Sequence, residues 1–224
     1  EGFDIVLFSG DPILNNAPGL RITVNADGTI TSVGATETEA NLPNFEMLSG
    51  SQGHDIITGN DGNNMLGGGF GNDVIDGGAG IDTVNYQFSF PTAGSVLTVD
   101  LAAGTSSETL TLPFNPPQTF TASDTLINIE NVSGSTGVDI IYGDAGDNVL
   151  QGFLGDDLLR GNAGNDTLDG HVFTLFTHLV NTGPSPADGS DTADYATDPN
   201  GIDVDLSTGF GTDGYGGTDT FVSI

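Results

Sequence analysis

Eight short oxygen-bearing side chains recur at nine-residue intervals, in two groups of four. They are Asp55, Asn64, Asp73 and Asp82, followed by Asp139, Asn148, Asp157 and Asp166. Like charges held in such a series repel one another unless a cation lies between them. Carboxylate and backbone carbonyl oxygens are the ligands of a hard ion such as calcium, so the chemistry to look for is ion binding.

The elements that must position these residues follow from the frame. Residues 50–85 read as GSQGHDIIT, GNDGNNMLG, GGFGNDVID and GGAGIDTVN, and residues 134–169 as GSTGVDIIY, GDAGDNVLQ, GFLGDDLLR and GNAGNDTLD. Glycine opens each nonapeptide and returns at its fourth position, which suits a tight turn. The last three residues are long enough only for a very short strand, whose middle side chain is always aliphatic: Ile57, Leu66, Ile75, Val84, Ile141, Leu150, Leu159 and Leu168. One copy therefore makes a turn and a strand, and two copies make one coil of a flattened parallel helix. Copies two apart then stack, which brings their sixth-position carboxylates together.

This pattern resembles the RTX, or haemolysin-type, calcium-binding repeat, GGxGxDxUx with U a large aliphatic residue. The resemblance implies an all-β fold: parallel β-roll arrays of nonapeptide repeats alternating with small β spacer modules, with Ca2+ lined up along both edges of each roll. It also implies several calcium ions held by the eight sixth-position residues. Asn64 and Asn148 depart from the family's Asp, and their uncharged carbonyls should make weaker or incomplete sites. Asp4 and Asp191 sit in the same frame in a truncated and an interrupted copy, and are read as terminal ligands.

Composition agrees with that demand for cations. The chain of 224 residues has a formal charge of −29, no cysteine and no lysine, and its basic residues are Arg21 and Arg160. Of its acids 25 are Asp and six are Glu, an excess that suits tight oxygen-ligand loops better than a merely solvating surface. So negative a chain is a poor partner for nucleic acid or an anionic membrane, and it destabilises its own compact state. No apolar run is long enough for a membrane span. The start at Glu1, without Met or a leader-like segment, reads as an excised or processed piece.

Taken in order, the chain divides into residues 1–48, a partial repeat end and β spacer; 49–86, the first roll; 87–133, a second β spacer; 134–195, the second roll with an insertion at 171–188; and 196–224, a truncated β spacer. Phe8, Tyr86 and Tyr195 each follow the last copy of an array and could cap it. After each comes an apolar strand: Leu20–Val24, Val96–Leu101 and Ile202–Leu206. Asp100, Asp124, Glu46 and Glu130 lie at spacer–array junctions, where they either bind further calcium or, the expectation preferred here, face solvent.

Nothing reads as catalytic. His54, His171 and His178 do not form a zinc-binding HExxH helix, and no GxSxG elbow is present. Paired carboxylates alone do not make a glycosidase without a sugar cleft, and tryptophan is absent. The expected role is a non-enzymatic calcium-binding module of a secreted surface, matrix or filament-forming protein, with self-association as its partner interaction. By resemblance it would leave the cell unfolded through a type I channel and fold in extracellular calcium. The alternative is the non-catalytic RTX portion of a secreted metalloprotease or lipase, or of an adhesin. The apolar first half of the insertion is expected at an intermolecular contact, or else folded back as a cap.

Overall fold

A computed structural model describes residues 5–7, 18–24, 30–33, 47–87, 95–112, 116–170 and 190–224, the first three segments through their backbone alone. Among the described residues there are 20 strands and no helix. The first are β1 (Ile5–Leu7), β2 (Pro18–Val24), β3 (Ile30–Val33) and β4 (Met47–Ser49). The first array supplies β5 (His54–Thr58), β6 (Met65–Gly67), β7 (Val74–Asp76) and β8 (Thr83–Asn85). Then come β9 (Ser95–Asp100), β10 (Thr105–Leu112), β11 (Gln118–Ile127) and β12 (Asn131–Ser133). The second array contributes β13 (Val138–Tyr142), β14 (Val149–Gln151), β15 (Leu158–Arg160), β16 (Thr167–Asp169) and β17 (Thr192–Ala193). The chain closes on β18 (Asp203–Asp205), β19 (Phe210–Thr212) and β20 (Thr218–Val222).

Successive array strands alternate between two ten-stranded sheets. One sheet, sheet A, runs β1-β4-β6-β8-β12-β14-β16-β20-β19-β18, and the other, sheet B, runs β17-β15-β13-β9-β10-β11-β7-β5-β2-β3. Alternation follows from the nonapeptide itself: each turn reverses the chain, so copy i meets copy i+2 in parallel. Ile57 thus stands beside Ile75, Leu66 beside Val84, Ile141 beside Leu159, and Leu150 beside Leu168. All eight of these eighth-position side chains are fully buried between the sheets. Each stabilises the fold by about 1.5–3 kcal/mol through burial. The fold is therefore an all-β parallel roll, with a core one side chain thick per strand.

The spacers add strands to both sheets. In sheet A, β12 pairs with β8 on one side and β14 on the other, placing Val132 between Val84 and Leu150. In sheet B, β11 follows β7 in parallel, and the antiparallel strands β10 and β9 lie between it and β13. The fifth strand of the second array, β17, pairs with β15 so that Leu158 meets Thr192 across 34 positions of sequence, where 18 is the interval elsewhere. The stack thus closes over a 16-residue insertion. That insertion lies outside the described residues, as do the expectations for its contacts, and so do Asp4, Phe8, Glu46, His171 and His178.

Candidate metal centre

The sixth-position residues form ladders along the edges of the roll. The backbone N–H of Asp55 donates to Asp73 Oδ1 at 2.7 Å, and that of Asp139 to Asp157 Oδ1 at 2.9 Å. On the other edge, the N–H of Asn64 donates to Asp82 Oδ1 at 2.7 Å, and that of Asn148 to Asp166 Oδ1 at 2.8 Å. Copies two apart are therefore joined through a carboxylate, which turns its second oxygen inward over its own first glycine. A Cβ at Gly68, Gly152 or Gly161 would collide with Oδ2 of Asp73, Asp157 or Asp166, so position one has room only for glycine. The fourth glycine is constrained by the stack itself. Gly71 and Gly155 have φ of 136° and 139°, and a Cβ on either would collide with the carbonyl oxygen of Gly53 or Gly137.

The copies differ in how their oxygens are satisfied. In each first copy, serine stands at position two and closes the carboxylate. The Ser51 N–H donates to Asp55 Oδ2 at 2.6 Å, and Ser135 donates to Asp139 through both its N–H and its hydroxyl, each at 2.6 Å. In each second copy, the amides of Asn64 and Asn148 accept the N–H of Asn60 and Asp144 at 2.8 Å, and their Nδ2 groups donate to nearby oxygens. In the third and fourth copies, Oδ2 of Asp73, Asp82, Asp157 and Asp166 is buried with no hydrogen-bond partner. Four anionic oxygens are thus left bare inside the protein, a state that costs several kcal/mol unless protons or cations fill it.

Electrostatics points the same way. Asp73 is pushed up to about 8, first by burial and then by the charges of Asp124, Asp55 and Glu108, against the hydrogen bond from the Asp55 N–H. Burial also raises Asp139 to about 8, and Asp157 and Asp166 to about 7. Asp82, Asp124 and Asp219 are raised too, burial again leading.

The ladders continue past the nonapeptides. The N–H of Asp73 donates to Asp124 Oδ1 at 2.9 Å, that of Asp82 to Glu130 Oε2 at 2.8 Å, that of Asp157 to Asp191 Oδ1 at 3.1 Å, and that of Asp166 to Asp219 Oδ1 at 3.0 Å. This corrects the expectation that Asp124 and Glu130 face solvent. Asp124 is buried, and both side chains occupy a sixth-position slot on a spacer strand. Their signal was in the sequence as an acid two residues before a buried apolar residue, in Asp124-Thr125-Leu126, Glu130-Asn131-Val132 and Asp219-Thr220-Phe221, but without the glycines that mark a copy. Asp100 takes no part and accepts the N–H of Ala103 in a turn. The aromatic ends of the arrays close the ladders through their hydroxyls. Tyr86 donates to Asp124 Oδ2 at 3.1 Å and Tyr195 to Asp219 Oδ2 at 2.6 Å.

Two acids outside the ladders, Asp198 and Asp213, also hold a buried oxygen without a hydrogen-bond partner, near Asp166 and Asp219. Among the described residues no three acidic or imidazole side chains converge on one point, so an ion here would draw on backbone carbonyls as well as carboxylates. The donor set is oxygen only and anionic, which fits calcium and excludes a soft or nitrogen-preferring metal. Bound calcium would supply positive charge between the bare oxygens. Asp73, Asp82, Asp157 and Asp166, with their bare oxygens, are the residues that would hold it. His54 is exposed, and its Nδ1 accepts the N–H of Asn72.

No helix of the described residues is long and apolar enough to cross a membrane. No curated protein matches the chain. Residues 49–84 and 133–170 match the family model described as the RTX calcium-binding nonapeptide repeat, in four copies each. These are the segments whose turns leave the bare oxygens, and the two arrays belong to the RTX calcium-binding nonapeptide repeat family.

Proposed function

We propose that this chain is a calcium-dependent structural module of a secreted surface, matrix or filament-forming protein, unfolded without calcium and folded on reaching it outside the cell. The observation that carries the reading is the set of four buried, partnerless Oδ2 atoms on Asp73, Asp82, Asp157 and Asp166. A roll whose core is one side chain thick has little apolar burial to offset chain entropy and the repulsion among its acids. Calcium binding to the folded state alone adds the missing stability by mass action. Asp124, Glu130, Asp191 and Asp219 extend the ligand ladders, while Asp55, Asp139, Asn64 and Asn148 tie the first two copies of each array to the protein's own donors. Type I export, implied by the family, is compatible with a chain that stays unfolded until calcium is present. The role is architectural rather than catalytic.

Far-ultraviolet circular dichroism before and after exhaustive chelation tests this. The β signal should collapse on calcium removal and return when calcium is restored. A spectrum unchanged by chelation would show that the roll needs no metal, and the proposal would fail.

A further inference from the structure

One turn of the last spacer, at residues 214–217, is gripped by two carboxylates that stand outside the sixth-position ladders. Asp198 lies between β17 and β18, and Asp213 between β19 and β20. Asp198 Oδ2 accepts the N–H of Gly214 at 2.7 Å. Asp213 Oδ1 accepts those of Tyr215, Gly216 and Gly217 at 2.9, 2.5 and 2.7 Å. All four N–H groups of the turn are thereby engaged, and none remains for the second oxygen of either acid. Asp198 Oδ1 and Asp213 Oδ2 are buried without a hydrogen-bond partner. Both are enclosed by residues already in place rather than left open at the edge of a sheet.

The surroundings supply more oxygen and more negative charge. Asp213 is 4% exposed, and its Oδ2 borders the space that a Cβ on Gly217 would fill, as does the carbonyl oxygen of Gly164 in the array. The charge of Asp213 bears on Asp166 and Asp219, and that of Asp198 on Asp219. The chain's two arginines stand elsewhere: Arg160 pairs with Asp194 beneath the Tyr142 ring, and Arg21 lies on β2 beside β5. Two acids buried against one turn are unfavourable unless a cation from solution lies between them.

The internal spacer places an acid in the same way. Ser106 is opposite Asp124, which sets Glu108 opposite Ala122. Gly211 is opposite Asp219, which carries Asp213 to Gly217, whose carbonyl accepts its N–H at 3.3 Å. Glu108 is also buried, and its charge bears on Asp73 as that of Asp213 bears on Asp166. An acid beside the Asp that carries the ladder into the spacer thus belongs to the hairpin's own construction.

We propose that Asp198 Oδ1 and Asp213 Oδ2 form a further calcium site, which pins the last spacer hairpin to the second array. The ligands are hard anionic oxygens, and nearby carbonyls such as that of Gly164 complete the shell. The ion joins the segment leading into β18 to the turn leading into β20, and both to the array. It staples hairpin to roll, where the ladder ions act between copies. The site rests on the calcium-folded reading above, because its ligands meet only in the folded roll.

Counting bound calcium tests it. Elemental analysis at equilibrium with buffered free calcium compares the parent with a double variant, Asp198→Asn and Asp213→Asn, with circular dichroism on the same samples. Asparagine keeps the oxygen that grips the turn and removes both charges. The expected result is a folded variant that holds about one calcium ion fewer than the parent. A folded variant that holds as many ions as the parent overturns the site and leaves the ladder calcium untouched. If the double variant does not fold, Tyr215→Phe decides, since Tyr215 lies in the turn with its side chain half exposed. Terbium then replaces calcium and is excited through tyrosine, of which the chain has four. Tyr215→Phe should remove a large share of the parent's emission, and emission equal to the parent's overturns the site. A parent that binds no calcium defeats the calcium reading and this site together.

Discussion

Replacing Asp73 with Asn separates two effects that wild-type Asp73 combines. Its Oδ1 accepts the N–H of Asp55 and its Oδ2 is buried without a partner, so the amide keeps the first contact and removes the second atom's charge. Burial and the surrounding acids raise the carboxyl from 3.8 to about 8. At roughly 1.4 kcal/mol per unit, the ionised group costs the metal-free fold on the order of 5 kcal/mol at pH 8. Leaving the new Nδ2 without an acceptor over Gly68 returns about 1–3 kcal/mol of that. Asp73→Asn should therefore stabilise the metal-free roll by about 2–4 kcal/mol and yet weaken calcium, because an anionic ligand has gone. Two titrations followed by circular dichroism read the two halves: an osmolyte titration of the calcium-free chain, and a calcium titration without osmolyte. Asp73→Asn should fold at lower osmolyte than the parent, while its calcium midpoint should rise by about tenfold, a net loss of about 1.4 kcal/mol that remains after the gain of the metal-free fold is set against the lost anionic ligand. A variant that needs more osmolyte, or that folds at the parent's calcium concentration, would refute the assignment of Asp73 Oδ2 to an ion.

Without calcium, the raised carboxyls give stability that is complete below pH 3.8 and lost as pH climbs through about 7 and 8, so metal-free chain should gain β signal on acidification. A chain equally unfolded at pH 4 and pH 8, after removal of divalent ions on a chelating resin, counts against that ordering. Ser135→Ala strips the hydroxyl from Asp139 and should lower calcium-loaded stability by about 1–3 kcal/mol in urea melts. Tyr195→Phe leaves Asp219 Oδ2 without its donor and should cost a similar amount, about 1–3 kcal/mol, again read by urea melts. Leu159→Ala opens a cavity between the sheets and should cost about 2–5 kcal/mol in the same assay.

Much of this was legible because the repeat says the same thing many times. The aliphatic eighth position fixes which face of each strand is buried, and the interval of two copies fixes the register of Ile57 on Ile75. What the sequence hid were degenerate copies. Asp124 and Asp219 sit on strands that have lost most of the glycine pattern, yet hydrogen bonding to the neighbouring turn still draws them into the ladder. Glu130 does the same with a longer side chain, reached from Asp82 across 48 positions. The difference among copies was hidden as well. Ser51 and Ser135 look like ordinary turn residues, and only their hydrogen bonds reveal that they satisfy the first carboxylate of each array before any ion does.

The unequal count of strands on the two faces carries a consequence for the path of the whole rod. Between β8 and β14, sheet A advances by the single strand β12, while between β7 and β13, sheet B advances by three. At roughly 4.8 Å per strand the surplus is about 10 Å on one side, a wedge that turns the axis toward sheet A. The next wedge falls on the other side, because β18 and β19 belong to sheet A. Parity decides this. Four strands in the first array return the chain to sheet B for its hairpin, and the fifth strand of the second array, β17, delivers it to sheet A instead. The hairpin of the first spacer, β2 and β3, lies in sheet B as β9 and β10 do, so a four-strand array repeats the elbow on one side and a five-strand array reverses it; inserting or deleting one nonapeptide would exchange the one path for the other.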